Sequence, residues 1–259
     1  DIGCQGLGDQ YFVTHAFHGL HGRSVAYATG IKLADTDLKV IVLIGDGGAG
    51  IGAAHWLNAA RRNIGLTVLV MNNFNFGMTG GEHSVTTPAG GITATTRGGN
   101  LERPLDLCAT AAANGAGFAW RGTAFDRELP DVIVDAVQSE CFALLDIWEL
   151  CTAYYVPNNA WSRKALLETR DALGMPAGLV HRDERPEYAR ALSAAGEGQR
   201  GKPALRPTAL PPQFTSPLDR EFRLVVAGSA GGKVRSTART LGEAAILSGL
   251  WAAQQDDYP

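Results

Sequence analysis

GDGGAGIGAAHWLNAARRNIGLTVLVMNNFNFG, residues 45–77, admits two opposed readings. Gly45, Gly47 and Gly50 fit G-x-G-x-x-G, the spacing that cradles a dinucleotide pyrophosphate. That site also needs a carboxylate about twenty residues on, at the end of the next strand, to bind the ribose. Here the next strand ends Val70-Met71-Asn72-Asn73, with no carboxylate. Asp46 would moreover aim its charge at the pyrophosphate, which is repulsive without a cation. A divalent cation between the two turns the repulsion into the binding chemistry. Mg²⁺ takes oxygen ligands, usually one or two from protein beside phosphate oxygens. Asp46 offers a carboxylate from the end of one strand, Asn73 an amide oxygen from the end of the next, and Asn75 a backbone carbonyl two residues on. The glycine-rich helix opening after Gly48 adds its N-terminal dipole.

The flanks supply the frame for this site. Lys39–Ile44 and Leu66–Met71 are continuous apolar runs, read as strands buried on both faces. Ile51–Arg62 between them reads as a helix, completing a right-handed βαβ unit. Gly22–Ala34 reads as a helix rich in small residues. Pro104–Gly115, Glu128–Ser139, Trp161–Leu173 and Arg185–Ala195 read as further helices. Phe118–Arg121 and Phe142–Ile147 read as further strands. The alternation predicts an α/β fold: an open, mostly parallel sheet with helices on both faces. Its carboxyl edge is where such sheets bind ligands.

After Asn159 the pattern weakens. Gly196–Pro217 is rich in proline and reads as a linker. Phe222–Ala227 reads as a new strand, followed by the glycine-rich turn Gly228–Gly232 and a helix from about Arg235 to Leu250. The expected division is residues 1–160 as the binding domain, 161–218 as a helical and proline-rich linker, and 219–259 as the start of a second α/β unit.

The chain has 259 residues and a formal net charge of −3. No basic run suggests nucleic acid or an anionic membrane as a partner. No apolar stretch reaches membrane-spanning length, and no signal peptide is evident before Asp1. The chain starts without Met inside what reads as a structured segment, so a fragment is expected. Four cysteines do not make a secreted disulfide scaffold, and a reducing cytoplasm is the expected compartment.

Several segments together resemble the β subunit of 2-oxoacid:ferredoxin oxidoreductases, the pyruvate, 2-oxoglutarate and indolepyruvate enzymes. These are Gly45-Asp46-Gly47 with Asn72-Asn73, DIGC (1–4), HGLHGRSVAYATGIK (18–32), AARRNI (59–64) and NNFNFGMTGGEHSVTTP (72–88). The likeness covers about residues 1–159. VVAGSAGGKVRSTARTLGEAAILSGL (225–250) is similar to the start of the family's γ subunit, so a β–γ fusion is expected.

The resemblance implies thiamine diphosphate held through Mg²⁺ by Asp46, Asn73 and Asn75. It implies cofactor contacts at Ile2, Gly3, Cys4, Gln5, His21, Gly22, Arg23, Gly45, Gly47, Gly48, Gly77 and Met78. His21 and Arg23 are the candidates for work on cofactor or substrate carboxylate; His18 and His55 are assigned none. The implied reaction is oxidative decarboxylation of a 2-oxoacid, with the acyl group passing to coenzyme A and electrons passing singly through iron–sulfur clusters to ferredoxin. The family's activating glutamate comes from a partner α subunit, so this chain alone is expected to be inactive. The alternative is a non-redox thiamine diphosphate decarboxylase or carboligase.

The family's [4Fe–4S] cluster uses four cysteines. Cys4 and Cys151, the latter in ELC (149–151), match two of them, and the C-x-x-C that supplies the others is absent here. Cys4 and Cys151 are therefore expected to face one pocket near Asp46, with a cluster in the full-length protein but not in this chain. Cys108 and Cys141 read as core. Two departures stand out: Glu82 replaces a common Gln, and the Gly228–Gly232 turn lacks a full G-x-G-x-x-G, so no nucleotide site is assigned there.

Overall fold

A computed structural model describes residues 1–198, 201, 209–229 and 231–255. The chain divides into two units, Asp1–Arg200 and Gly201–Pro259.

The first unit is a three-layer α/β structure. Its five-stranded sheet contains β1 (Val40–Gly45), β2 (Leu66–Asn72), β5 (Phe118–Thr123), β6 (Ala143–Trp148) and β7 (Gly178–Arg182) in the order β1-β2-β6-β5-β7. The pairs β1–β2, β2–β6 and β5–β6 are parallel, as expected for apolar strands covered on both faces. β7 joins β5 antiparallel at the edge. Two residues each form β3 (Asn75–Phe76) and β4 (Glu82–His83), a small hairpin above the sheet.

Helices cover both faces. On one, α1 (Ser24–Ala34), α3 (Ala53–Arg62) and α4 (Leu107–Ala113) bury Val25, Trp56, Ala59, Leu107 and Ala111 against Val42, Ile44, Val68, Val70 and Leu144. On the other, α5 (Leu129–Gln138) packs Ala136, Val132 and Ile133 against Leu69, Trp120 and Leu145. Cys108 and Cys141 are buried in these cores, as the sequence suggests.

The predicted helix over 51–62 forms as α3 over all but its first two residues, and a separate short helix stands ahead of it. α2 (Asp46–Ile51) starts at Asp46, not after Gly48, and α3 begins after Gly52. The break has a steric cause. Gly22, in left-handed backbone at φ 71°, brings its carbonyl so close to Gly52 that any Cβ there would collide with it.

The expected linker over 161–218 is corrected in its first part. α6 (Tyr155–Asn159), α7 (Arg163–Ala172), β7 and α8 (Tyr188–Glu197) all belong to the first unit, which therefore extends well past residue 160. The Ser162 hydroxyl caps α7 by accepting from Ala165 N. Leu166 joins Phe74, Trp148 and Tyr155 in a third apolar cluster. Of the predicted linker 196–217, residues 199–200 and 202–208 lie outside the described residues.

In the second unit the predicted strand over 222–227 does not form. Leu224 and Val225 are exposed, and no strand among the described residues pairs with them, so the apolar run has nothing to complete. Among the described residues the expected α/β start thus reduces to one helix, α9 (Val234–Leu247), with irregular chain at 213–216 bonded to its C-terminal carbonyls at Leu247 and Ser248. Ala230 of the predicted turn and residues 256–259 lie outside the described residues.

Candidate functional site

The site forms where β1 and β2 end side by side. Gly45 pairs with Met71 in the parallel register, which brings Asp46, the first residue of α2, beside Asn73. Asp46 Oδ1 accepts from Asn73 N at 3.4 Å, and Oδ2 accepts from the Ser84 hydroxyl and, at 3.1 Å, from Thr86 Oγ1. Asp46 is only 1% exposed. Burial pushes its carboxyl up to about 7 against the pull of these hydrogen bonds, in the order Ser84, Asn73, Thr86.

Phe74, between the two asparagines, has φ 66°. A bulky residue in this left-handed region is strained. The strain is held by an aromatic cage: Phe74 packs edge-on to Trp148 and Trp161, each with centroids 4.9 Å away. The turn leaves Asn73 and Asn75 buried with unsatisfied groups. Asn73 Nδ2 donates to Glu149 Oε1 at 3.3 Å, so its amide is oriented, yet Asn73 Oδ1 and both amide atoms of Asn75 have no hydrogen-bond partner. Leaving such groups dry and unpaired costs about 1–3 kcal/mol each. A buried carboxylate with a raised pKa beside orphaned amide oxygens is a donor set for a hard cation, and these residues fit Mg²⁺.

Asn72 faces the other way, as alternation along a strand requires. Its Nδ2 donates to Asp146 Oδ1 at 2.8 Å, and its Oδ1 accepts from Thr86 Oγ1 at 2.9 Å. Asp146 Oδ2 accepts from Arg121 Nε at 3.1 Å and Trp148 Nε1 at 2.9 Å, and Arg121 also reaches Asp106, the cap of α4. A polar row across β5, β6 and β2 therefore underlies the metal-ligand candidates. Ser84, Thr86, Arg121, Asp146 and Glu149 were not evident from the sequence. Arg121 and Asp146 interrupt otherwise apolar strands, and that interruption was the available signal.

The remaining predicted residues divide into two groups. Gly47 lies under Phe76, where a Cβ would come within 2.6 Å of the ring. Gln5 Oε1 would lie 2.9 Å from a Cβ at Gly45. His21 Nδ1 bonds Asp1 Oδ2 at 2.9 Å, Gly22 N donates to Asp1 Oδ1 at 2.9 Å, and the His21 ring meets Phe76 edge-on at 5.9 Å. Gly48 is buried in α2. A Cβ at Gly77 would lie 3.4 Å from Cys4 Sγ, 3.9 Å from Cys151 Sγ and 3.8 Å from Asn75 Oδ1. The two sulfurs are therefore no more than about 7.3 Å apart and border Asn75. The Cys4 thiol is pushed up, first by burial and then by the charges of Cys151 and Glu149. Gly3, in left-handed backbone at φ 117°, opens the Cys4–Tyr11 3₁₀ turn. Ile2, Met78 and Arg23 are exposed, and the structure does not draw the Arg23 side chain into this group.

Relatives bear on the same region. The chain is 44% identical over 155 residues to 2-oxoglutarate synthase subunit KorB of Archaeoglobus fulgidus, covering 59% of this chain and 58% of that protein. It is 38% identical over 157 residues to 2-oxoacid:ferredoxin oxidoreductase subunit beta of Sulfolobus sp, covering 59% and 52%. The chain thus spans little more than half the length of these relatives. Among solved structures it resembles 2-oxoglutarate:ferredoxin oxidoreductase from Magnetococcus marinus, solved with 2-oxoglutarate, coenzyme A and succinyl-CoA bound. The TM-score is 0.67 at 25% identity, over 77% of this chain and 76% of the other. Residues 1–147 match the family described as thiamine pyrophosphate enzyme, C-terminal TPP binding domain, and the site just described lies almost wholly inside them. By that match this chain belongs to the thiamine pyrophosphate enzymes, carrying their C-terminal TPP-binding domain.

Proposed function

We propose that this chain is the thiamine diphosphate-binding part of the β subunit of a 2-oxoacid:ferredoxin oxidoreductase, with 2-oxoglutarate the first substrate to test. The observation that carries the redox reading is the convergence of Cys4 and Cys151 beside Asn75, at the edge of the metal-ligand group. A non-redox decarboxylase or carboligase has no use for paired thiols there.

Asp46, Asn73 and Asn75 would hold Mg²⁺, and through it the diphosphate. The bound cofactor supplies a carbanion nucleophile and an electron sink for decarboxylation. This chain's residues do the positioning. Asp46 would offset one of the cation's two charges, and Asn73, oriented by Glu149, would present its amide oxygen. Phe76 closes over Gly47 and limits water. His21, held by Asp1, would meet an anionic group of cofactor or substrate. Arg23, exposed at the start of α1, would act where a partner subunit closes over it. Cys4 and Cys151 would supply two thiolates to a [4Fe–4S] cluster completed by further ligands. Coenzyme A would accept the acyl group and ferredoxin the electrons, in a complex with an α subunit. Among the described residues no helix is long and apolar enough to cross a membrane. The free cysteines suit a reducing cytoplasm.

The deciding experiment uses the full-length protein assembled with its α-type partner. Reduction of ferredoxin or viologen that requires 2-oxoglutarate and coenzyme A is expected. Carbon dioxide release without reduction would favour the non-redox reading.

A further inference from the structure

We propose that Ser84 and Thr86 are cation-selecting positioning residues: they occupy Asp46 Oδ2, leave Oδ1 as the one carboxylate oxygen offered to the metal, and so favour Mg²⁺ over Ca²⁺. This rests on the reading that Asp46 holds the cofactor's metal.

The two oxygens of Asp46 are unequally engaged. Oδ2 meets two hydroxyls, Ser84 Oγ and, at 3.1 Å, Thr86 Oγ1. Oδ1 has one long contact, 3.4 Å from the backbone N of Asn73, the residue whose amide oxygen is orphaned. The Thr86 proton is shared between Asp46 Oδ2 and Asn72 Oδ1, and Ser84 donates to Oδ2 in either case.

The clamp is rigid. Ser84 N donates to Thr87 Oγ1 at 2.8 Å, and Thr87 Oγ1 donates to Phe74 O at 2.7 Å, which ties the 84–87 turn to the asparagine turn. Thr86 is held to Asn72, Asn72 to Asp146 and Asp146 to Arg121, all of them buried. Asp46 therefore cannot rotate to present both oxygens without breaking this chain of bonds.

The consequence for ion choice is chemical. Mg²⁺ demands octahedral geometry and is satisfied by a single oxygen from each carboxylate. Ca²⁺ takes six to eight ligands and gains from bidentate carboxylates. Occupying Oδ2 withholds a ligand that Ca²⁺ would use and Mg²⁺ would not.

The test uses the full-length protein assembled with its partner subunit, stripped of metal with chelator and saturated with thiamine diphosphate. Mg²⁺ and Ca²⁺ are titrated separately by calorimetry into the parent, Ser84→Ala/Thr86→Val and Ser84→Ala/Thr86→Ser. The double variant with Val is expected to shift preference about tenfold toward Ca²⁺, and the variant retaining a hydroxyl at 86 is expected to recover part of the parental ratio. A purely structural role would weaken both ions alike, and an equal loss or an unchanged ratio overturns the proposal. If the double variants do not fold, Ser84→Ala alone is expected to shift the ratio in the same direction, and an unchanged ratio there overturns it too. A parent that takes up neither ion with the cofactor sinks the underlying reading, whereas a parent that binds and variants that keep its ratio sink only the clamp.

Discussion

Cys4, ahead of β1, and Cys151, just after β6, border the same glycine, with sulfurs 3.4 and 3.9 Å from where a Gly77 Cβ would sit. Cys4→Ser/Cys151→Ser in the full-length protein is therefore expected to lose most of its iron, and parental iron content would refute the pairing. The chain of residues 1–259 is expected to hold no stable cluster, because the other two cysteines, Cys108 and Cys141, are buried elsewhere in the core. Stoichiometric iron in that purified chain would contradict this.

Asp46→Ala is expected to weaken Mg²⁺-dependent thiamine diphosphate binding on the order of 100-fold, since it removes the only carboxylate of the donor set. The fold should survive, because the substitution deletes a buried charge whose desolvation opposes folding. Calorimetry reads the first effect and circular dichroism the second. Parental affinity would rule out Asp46 as a ligand.

The raised Asp46 pKa gives a signed pH dependence. The folded carboxyl titrates near 7 against an ordinary 3.8, so the metal-free fold binds the proton more tightly than the unfolded chain does. The stabilisation from this group is complete below the unfolded value and is lost as pH rises through about 7. Urea unfolding of chelator-treated protein should show it, with Asp46→Asn flattening the profile. Metal binding has the opposite sign, because the proton competes for the same oxygen. Apparent Mg²⁺ affinity should fall by up to about tenfold per pH unit below 7. Affinity independent of pH between 5 and 7 would exclude Asp46 as the titrating ligand.

Arg121→Met should destabilise the first unit by about 3–5 kcal/mol, because it leaves the buried Asp146 carboxylate without its cation. Denaturant unfolding measures it. Adding Asp146→Asn, which removes the charge and keeps an acceptor for Asn72 or Trp148, should recover part of the loss. A loss below about 1 kcal/mol would mean that the pair is not a charged pair in the folded state.

What was legible in the sequence followed from burial. β1, β2, β5 and β6 are apolar on both faces, so their runs read directly as strands. β7 carries half-exposed Gly178, Val180 and His181 on an antiparallel edge, and no such run marks it. The opposite error arose at Leu224 and Val225, where an apolar run has no sheet to join. In the site, Asp46, Asn73 and Asn75 were legible because their order along the chain mirrors their place at adjacent strand ends. Ser84 and Thr86 were not, because they reach Asp46 through a turn whose path is set by the Phe74 cage. Asp146 and Arg121 were not, because their pairing depends on β6 lying between β2 and β5, and local sequence does not encode strand order.

That strand order also sets a timetable. β1, α2, α3 and β2 are contiguous, so the half-site of Asp46 and Asn73 can close over a short loop early in synthesis. β5 emerges before β6 yet pairs only with β6 and β7, leaving β2 and β5 as two open edges across a gap one strand wide. Insertion of β6 fills the gap, seals these two facing edges against intermolecular pairing and delivers Asp146 to Asn72 in the same event. The polar anchor of the metal-ligand group thus matures at the moment the two halves of the nascent sheet join, while the far edge of β5 stays open until β7 arrives.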